Sequence, residues 1–200
     1  PDQVRRQHEE IDALNAQYAG RFTLLKGIEA DILADGRVDY DERTLDSFDY
    51  VVASVHSRFN MEEAAMTERV LAAIADPHVT ILAHPTGRLL LSRAAYAIDM
   101  HAVIARAGEL GVSVELNADP HRLDLDWRLI REATAAGVLV EIGPDAHSIQ
   151  GLDNVDYGIG IARKGWLAAA DVLNTRGVDE IRAFARTRRE GKVTVRGGSR

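Results

Sequence analysis

Hydrophobic residues along the chain fall into five short runs, at 22–28, 50–55, 79–83, 112–116 and 139–142. Val, Ile, Leu and aromatic residues dominate them with little polar alternation, a pattern that predicts strands buried on both faces of a parallel sheet. Helical periodicity fills the intervals. Residues 1–18 place Val4, His8, Ile11, Asn15 and Tyr18 along one face, and 61–75 carry Ala65, Val70, Leu71 and Ile74 behind a capping-box pair, Asn60 and Glu63. Asp99 caps a predicted helix over 100–110 that stops at Gly111, and Asp126 caps one over 127–136 that stops at Gly137. A further helix is expected over 179–188. Alternating strands and helices of these lengths specify an α/β protein of parallel strands, and no linker divides it.

A second periodicity is chemical. The runs lead in turn to Glu29, His56, His84, Asn117, and Asp145 with His147, at spacings of 27, 28, 33 and 28 residues. That is the length of a βα unit, and in a βα barrel the C-terminal ends of the strands converge on one face. A histidine at one strand end is ordinarily a satisfied polar residue, but five strand ends in a row bearing such groups point to a common site. Imidazoles and carboxylates converging there describe a metal site suited to Zn, Mn or Fe. His8, His78 and His101 fall outside this register and are expected to be surface or core residues; His121 follows a strand in a loop.

Composition narrows the chemistry. The 200 residues contain no cysteine, which excludes a disulfide scaffold, a thiol nucleophile and a Cys-based zinc site, so a metal must be held by His and carboxylates. No apolar run approaches the ~20 residues of a membrane span and no signal-peptide pattern opens the chain, so a cytoplasmic protein is expected. Net charge is −7, yet the last fifteen residues carry +5, leaving −12 on residues 1–185. So acidic a body is a poor generic nucleic-acid binder, and a DNA substrate would need local arginines or another domain. Residues 190–200 read as a basic, disordered tail. The chain opens on Pro1 directly into a helix, as though starting inside a larger protein.

Several ordered strings carry a family resemblance: Gly27-Ile28-Glu29, Ser54-Val55-His56-Ser57, Ala83-His84-Pro85-Thr86-Gly87-Arg88, Glu115-Leu116-Asn117-Ala118, Pro120-His121-Arg122-Leu123-Asp124-Leu125 and Asp145-Ala146-His147-Ser148. Together they resemble the polymerase and histidinol phosphatase (PHP) domain. The later strings Tyr157–Trp166 and Asn174-Thr175-Arg176 resemble the version at the C-terminus of bacterial and archaeal family X DNA polymerases. The resemblance runs from about Gln3 to Arg189, and implies a partial PHP domain over 1–189. It further implies a distorted TIM-like barrel of seven parallel (βα) units, a trinuclear metal centre of Mn or Zn, with Fe a third choice, and metal-dependent phosphoester hydrolysis. In the polymerase setting that means 3′-5′ exonuclease action or DNA-end processing in base excision repair, with a polymerase domain expected N-terminal to it. By motif, Glu29 matches a carboxylate bridging two metals, and His56 and His84 complete one of those positions; Asp145 matches a carboxylate on another metal and His147 a ligand of the third. Arg88 and Arg122, just past strand ends, are expected either to clamp the substrate phosphate or to form ion pairs with Asp119 or Asp124.

Departures from the family pattern shape the remaining expectations. Its opening His-x-His strand end, the nearby Ser-Asp-Gly and the Asp-His-Ser strand end are absent from this sequence, as are the first two strands, and Pro144 precedes Asp145 where a small or hydroxylated residue is usual. One metal position, that of Glu29, His56 and His84, keeps a protein shell, so weak or no hydrolysis is expected of these residues alone. Two other readings stay open: a small-molecule phosphatase of the histidinol phosphate type, and a non-catalytic scaffold.

Overall fold

The computed structural model describes residues 2–191. Five strands, β1 (Gly27–Asp31), β2 (Tyr50–Ser54), β3 (Val79–Leu82), β4 (Ser113–Asn117) and β5 (Val140–Gly143), pair in chain order and all in parallel. Each strand lies beside its predecessor, so the sheet never reverses as a doubly wound sheet does; the arc is compatible with part of a TIM-like barrel. The α-helices of the described residues are α1 (Asp2–Gln17), α2 (Glu42–Leu45), α3 (Glu63–Ala75), α4 (Met100–Leu110), α5 (Trp127–Ala135), α6 (Val155–Lys164) and α7 (Val178–Arg189). The basic tail expected over 190–200 lies, from residue 192 on, outside the described residues. None of the described helices is long and apolar enough to cross a membrane.

Burial on both faces holds for β3 and β4 but not for the whole sheet. One face packs Ala30, Val51, Ala53 and Val114 against Met66, Val70, Ile74, Val103, Ile104 and Ile130 of the helices. The opposite face lines a cavity of about 190 Å³ and carries Glu29, Tyr50, Glu115 and Glu141 among Val52, Ile81 and Ala83. The first strand is also displaced. Residues 22–26 are not extended in the sheet: Asn15 of α1 takes the backbone N–H and C=O of Leu24, and Phe22 is 61% exposed. Pairing begins at Gly27, opposite Tyr50, where a Cβ would lie 2.5 Å from the tyrosine ring.

The helix ends divide similarly. Asp99 and Asp126 accept backbone N–H groups of their helices as expected, and Gly111 closes α4 at φ +70°. The capping box at Asn60 does not form; α3 starts after Glu62 without a side-chain cap. The sequence pattern gave no reason to expect α6, because Gly158 and Gly160 interrupt its apolar stripe. Packing requires the first of them: a Cβ at Gly158 would lie 2.6 Å from Ile142 and 2.7 Å from Ala118.

Helix α7 covers the strand N-terminal end with arginines. Arg188, 6% exposed, donates to the carbonyls of Val79, Leu110, Ile74 and Asp76, and Arg189 donates to those of Leu45 and Phe48. The positive charge gathered near the C-terminal end of the chain is thus partly structural. Removing a buried donor of four hydrogen bonds strands the carbonyls it served. Arg188→Ala is expected to lower the unfolding free energy by about 3 kcal/mol, while exposed Arg186→Ala stays within about 0.5 kcal/mol. Urea denaturation of the two variants checks this, and equal effects would contradict it.

Candidate metal centre

Glu29 stands on β1, His56 two residues past β2, and His84 two residues past β3, so three adjacent strands deliver them to one end of the sheet. Their side chains meet. Glu29 Oε1 lies 3.1 Å from His84 Nε2 and 3.4 Å from His56 Nε2, and one ligand atom from each residue lies within 4.8 Å of the others. On the far side of the His56 ring, Nδ1 is 2.5 Å from Asp31 Oδ1. Asp31 is two residues beyond Glu29 and so shares its face of β1, a period-2 signal that sequence reading passed over.

Charge follows from this geometry. Hydrogen bonds from His56 first and His84 second hold the Glu29 carboxyl well below the usual carboxylate range. The bond to Glu29, joined by Asp31, lifts His56 to about 9 against the opposing effect of partial burial. His84 is 3% exposed, its backbone is left-handed at φ +27°, its N–H donates to Glu115 Oε2 at 2.6 Å, and its Nδ1 is buried without a partner.

Among the other expected residues, Asp145 joins the same rim and His147 and Arg88 do not. Asn117 Nδ2 donates to Asp145 Oδ2 at 3.0 Å and reaches Glu115 Oε2 at 3.3 Å, and Arg122 Nε lies 3.4 Å from Asp145. Arg122 also keeps a buried terminal nitrogen unpartnered. His147 is 85% exposed and contacts Asp145 within its own turn. All of the Arg88 guanidinium is engaged, by Asp126 and by the carbonyls of Arg122 and Leu123. The ion-pair partners are therefore Asp126 for Arg88 and Asp145 for Arg122, rather than Asp119 or Asp124. The outlying histidines stay apart from the rim: His8 packs edge-on to Phe48, His78 sits between Asp76 and Asp46, His101 meets Glu132 and His121 meets Asp119.

No family model matches the chain. It is 44% identical over 183 residues to a DNA polymerase/3′-5′ exonuclease, PolX, of Bacillus subtilis, covering 92% of this chain and 32% of that protein. It is 30% identical over 177 residues to a probable phosphatase of Caldanaerobacter subterraneus, covering 84% of this chain and 67% of that protein. A probable phosphatase of Clostridium acetobutylicum is 32% identical over 144 residues, which is 67% of this chain and 56% of that protein. The chain belongs to the PHP family. It spans about a third of the length of the Bacillus polymerase and two thirds of that of the Caldanaerobacter phosphatase.

As a PHP chain it fits a divalent cation at Glu29, His56 and His84: one carboxylate and two imidazoles converge, a donor set suited to a borderline divalent ion, with no lysine or arginine among them. Beside them, the inner wall holds carboxyls that motif reading did not single out. Burial, and next the Glu141 charge, push Glu115 well up; burial pushes Glu141 to about 7. A carboxyl raised from 4.5 when folded opposes folding once ionised, so stability falls as pH climbs from about 4.5 to about 7 and stays reduced above it. Glu141→Gln removes that penalty. The variant is expected to be about 2 kcal/mol more stable than the parent at pH 8 and indistinguishable at pH 4, as urea melts at the two pH values measure.

Proposed function

We propose that the chain is part of the C-terminal PHP domain of a family X DNA polymerase, and that the whole protein uses it to hydrolyse phosphoester bonds at DNA ends, as a 3′-5′ exonuclease or end-processing activity in DNA repair. The observation that carries this reading is the convergence of Glu29, His56 and His84 in a chain 44% identical, over 92% of its length, to a protein named for both polymerase and exonuclease. Glu29, His56 and His84 would hold one cation, Mn or Zn before Fe; Asp145, and His147 from its exposed turn, would serve further metals of a trinuclear centre. When bound, a divalent cation neutralises phosphate charge and lowers the pKa of water at the site toward neutrality.

The protein's own groups do the rest. Asp31 holds the His56 ring so that Nε2 faces Glu29 and His84. Arg122, held beside Asp145 on the rim, would meet a substrate phosphate, whereas each nitrogen of the Arg88 guanidinium already donates within the protein. A cytoplasmic setting, DNA as substrate and an N-terminal polymerase domain belong to the same proposal.

A second reading, a small-molecule phosphatase, draws on the probable phosphatases, of which the chain spans the larger share. Hydrolysis of a DNA 3′ end against a phosphorylated amino alcohol by the whole protein separates the two.

Calorimetry with Mn²⁺ or Zn²⁺ tests the centre directly. One ion is expected to bind, and His84→Ala should weaken it at least about tenfold. Absence of binding, or a His84→Ala variant that binds as the parent does, defeats the proposal. Because His56, raised from 6.5 to about 9, must shed its proton to ligate, affinity should rise with pH across that interval. Asp31→Asn should weaken binding as well, leaving the melt of the metal-free protein near that of the parent.

A further inference from the structure

Trp166 is 82% exposed and stands in left-handed backbone at φ +62°, a costly placement for a large side chain that no core contact explains. It follows directly on α6, whose C-terminal Gly165 lies so close to α5 that a Cβ there would come within 2.5 Å of Ile130. This contact fixes Trp166 beside the outer face of α5, where it forms a groove with Arg131, Thr134 and Ala135. At the other end of the same helix stands Trp127, 37% exposed, with Lys164 Nζ 4.7 Å from its ring centroid.

Charge and composition say what the groove fits. Arg131 is exposed and makes no ion pair among the described residues, and no carboxylate lines the groove. No large aliphatic residue lines it either, such as the buried centre of a protein interface would use. Two exposed aromatic faces with the cations Arg131 and Lys164 between them, on a chain of net charge −7, form the arrangement that stacks bases and holds phosphates of a single strand. Trp127 lies at the strand C-terminal end of the molecule: its neighbour Asp126 caps α5 and holds Arg88, in the loop that begins at His84.

We propose that the α5–α6 face, through Trp127, Arg131, Lys164 and Trp166, is a binding platform for single-stranded DNA. The choice of DNA rests on the proposed function; binding itself requires neither metal nor hydrolysis. A strand laid along α5 passes from Trp166 to Trp127 and arrives at the end of the sheet that bears the metal centre.

Trp127 and Trp166 are the chain's two tryptophans, so tryptophan fluorescence, excited on the red edge where tyrosine does not absorb, reads this face alone. Titration of the 200-residue chain with an oligothymidylate of about twelve nucleotides, in chelator and low salt, is expected to quench it saturably. By anisotropy of the labelled oligonucleotide, Trp166→Ala and Arg131→Glu should each weaken binding about tenfold, and Arg186→Glu, at an exposed position of α7, should leave it near that of the parent. No binding, binding unaffected by both patch variants, preference for duplex over single strand, or a self-association sensitive to Trp166→Ala in place of DNA binding would each overturn the platform. Oligothymidylate binding that persists where calorimetry finds no metal would leave the platform standing and the metal centre refuted; metal binding without DNA binding gives the converse.

Discussion

The buried guanidinium of Arg69 on α3 ties together the ends of the first two strands. It donates from Nε to Leu33 O at 2.8 Å and from a terminal nitrogen to Ser57 O at 3.0 Å, and its other terminal nitrogen takes Ile32 O. Two of those carbonyls lie one and two residues past Asp31, and the third lies one past His56. Among the described residues no carboxylate pairs with Arg69; backbone carbonyls, joined by Met61 Sδ at 3.6 Å, satisfy it, and they do so only while both loops hold their places. Gly36 shows how closely the first loop is drawn in: at φ +85°, a Cβ there would lie 2.6 Å from Ala72 Cβ and 2.8 Å from Arg69 O. Strands of four or five residues have little ladder with which to fix their ends, and a charge anchored in the helix layer supplies the missing constraint.

With those ends fixed, the third follows from its neighbour. His84 sits in a left-handed conformation that costs of order 1–3 kcal/mol in a residue other than glycine. Its amide is received by the carboxyl of Glu115 on β4, and Asn117 links that carboxyl to Asp145, itself left-handed at φ +50°. The two strained residues and the carboxyl between them form one hydrogen-bonded rim from β3 to β5. Strain is thus held where chemistry is expected, by a network that is polar throughout and mostly buried.

Strand-end chemistry was legible because a parallel sheet must bring its C-terminal ends to one side, whatever the details of packing. Glu29, His56, His84 and Asp145 follow from that rule and from a unit length near 28 residues. Arg88 illustrates its limit: placed correctly past β3, it was open to two readings until Asp126 and two carbonyls were seen to occupy it. Asp31 was missed although it shares the face of Glu29, because the run was read as ending before it. The displaced first strand and the unforeseen α6 have a common cause, in that local propensity was overridden by a contact from elsewhere in the chain, Asn15 on Leu24 in the one case and Gly158 on Ile142 and Ala118 in the other.

By itself, then, the sequence determined the alternation of strands and helices, the direction in which the strands point, the caps of α4 and α5, and the exclusion of thiol chemistry. Those features depend on periodicity, on residues three or four positions apart, or on composition, all of which are local. Tertiary structure alone decided that Glu29 Oε1 reaches both imidazoles, that Asp31 lies behind one of them, that Arg122 rather than Arg88 keeps an unpartnered nitrogen, and that Trp166 stands exposed beside α5. Each of these joins residues tens of positions apart. Such contacts are set by the packing of helices on a sheet and by which buried polar groups find partners, and neither is written in any one stretch of the chain.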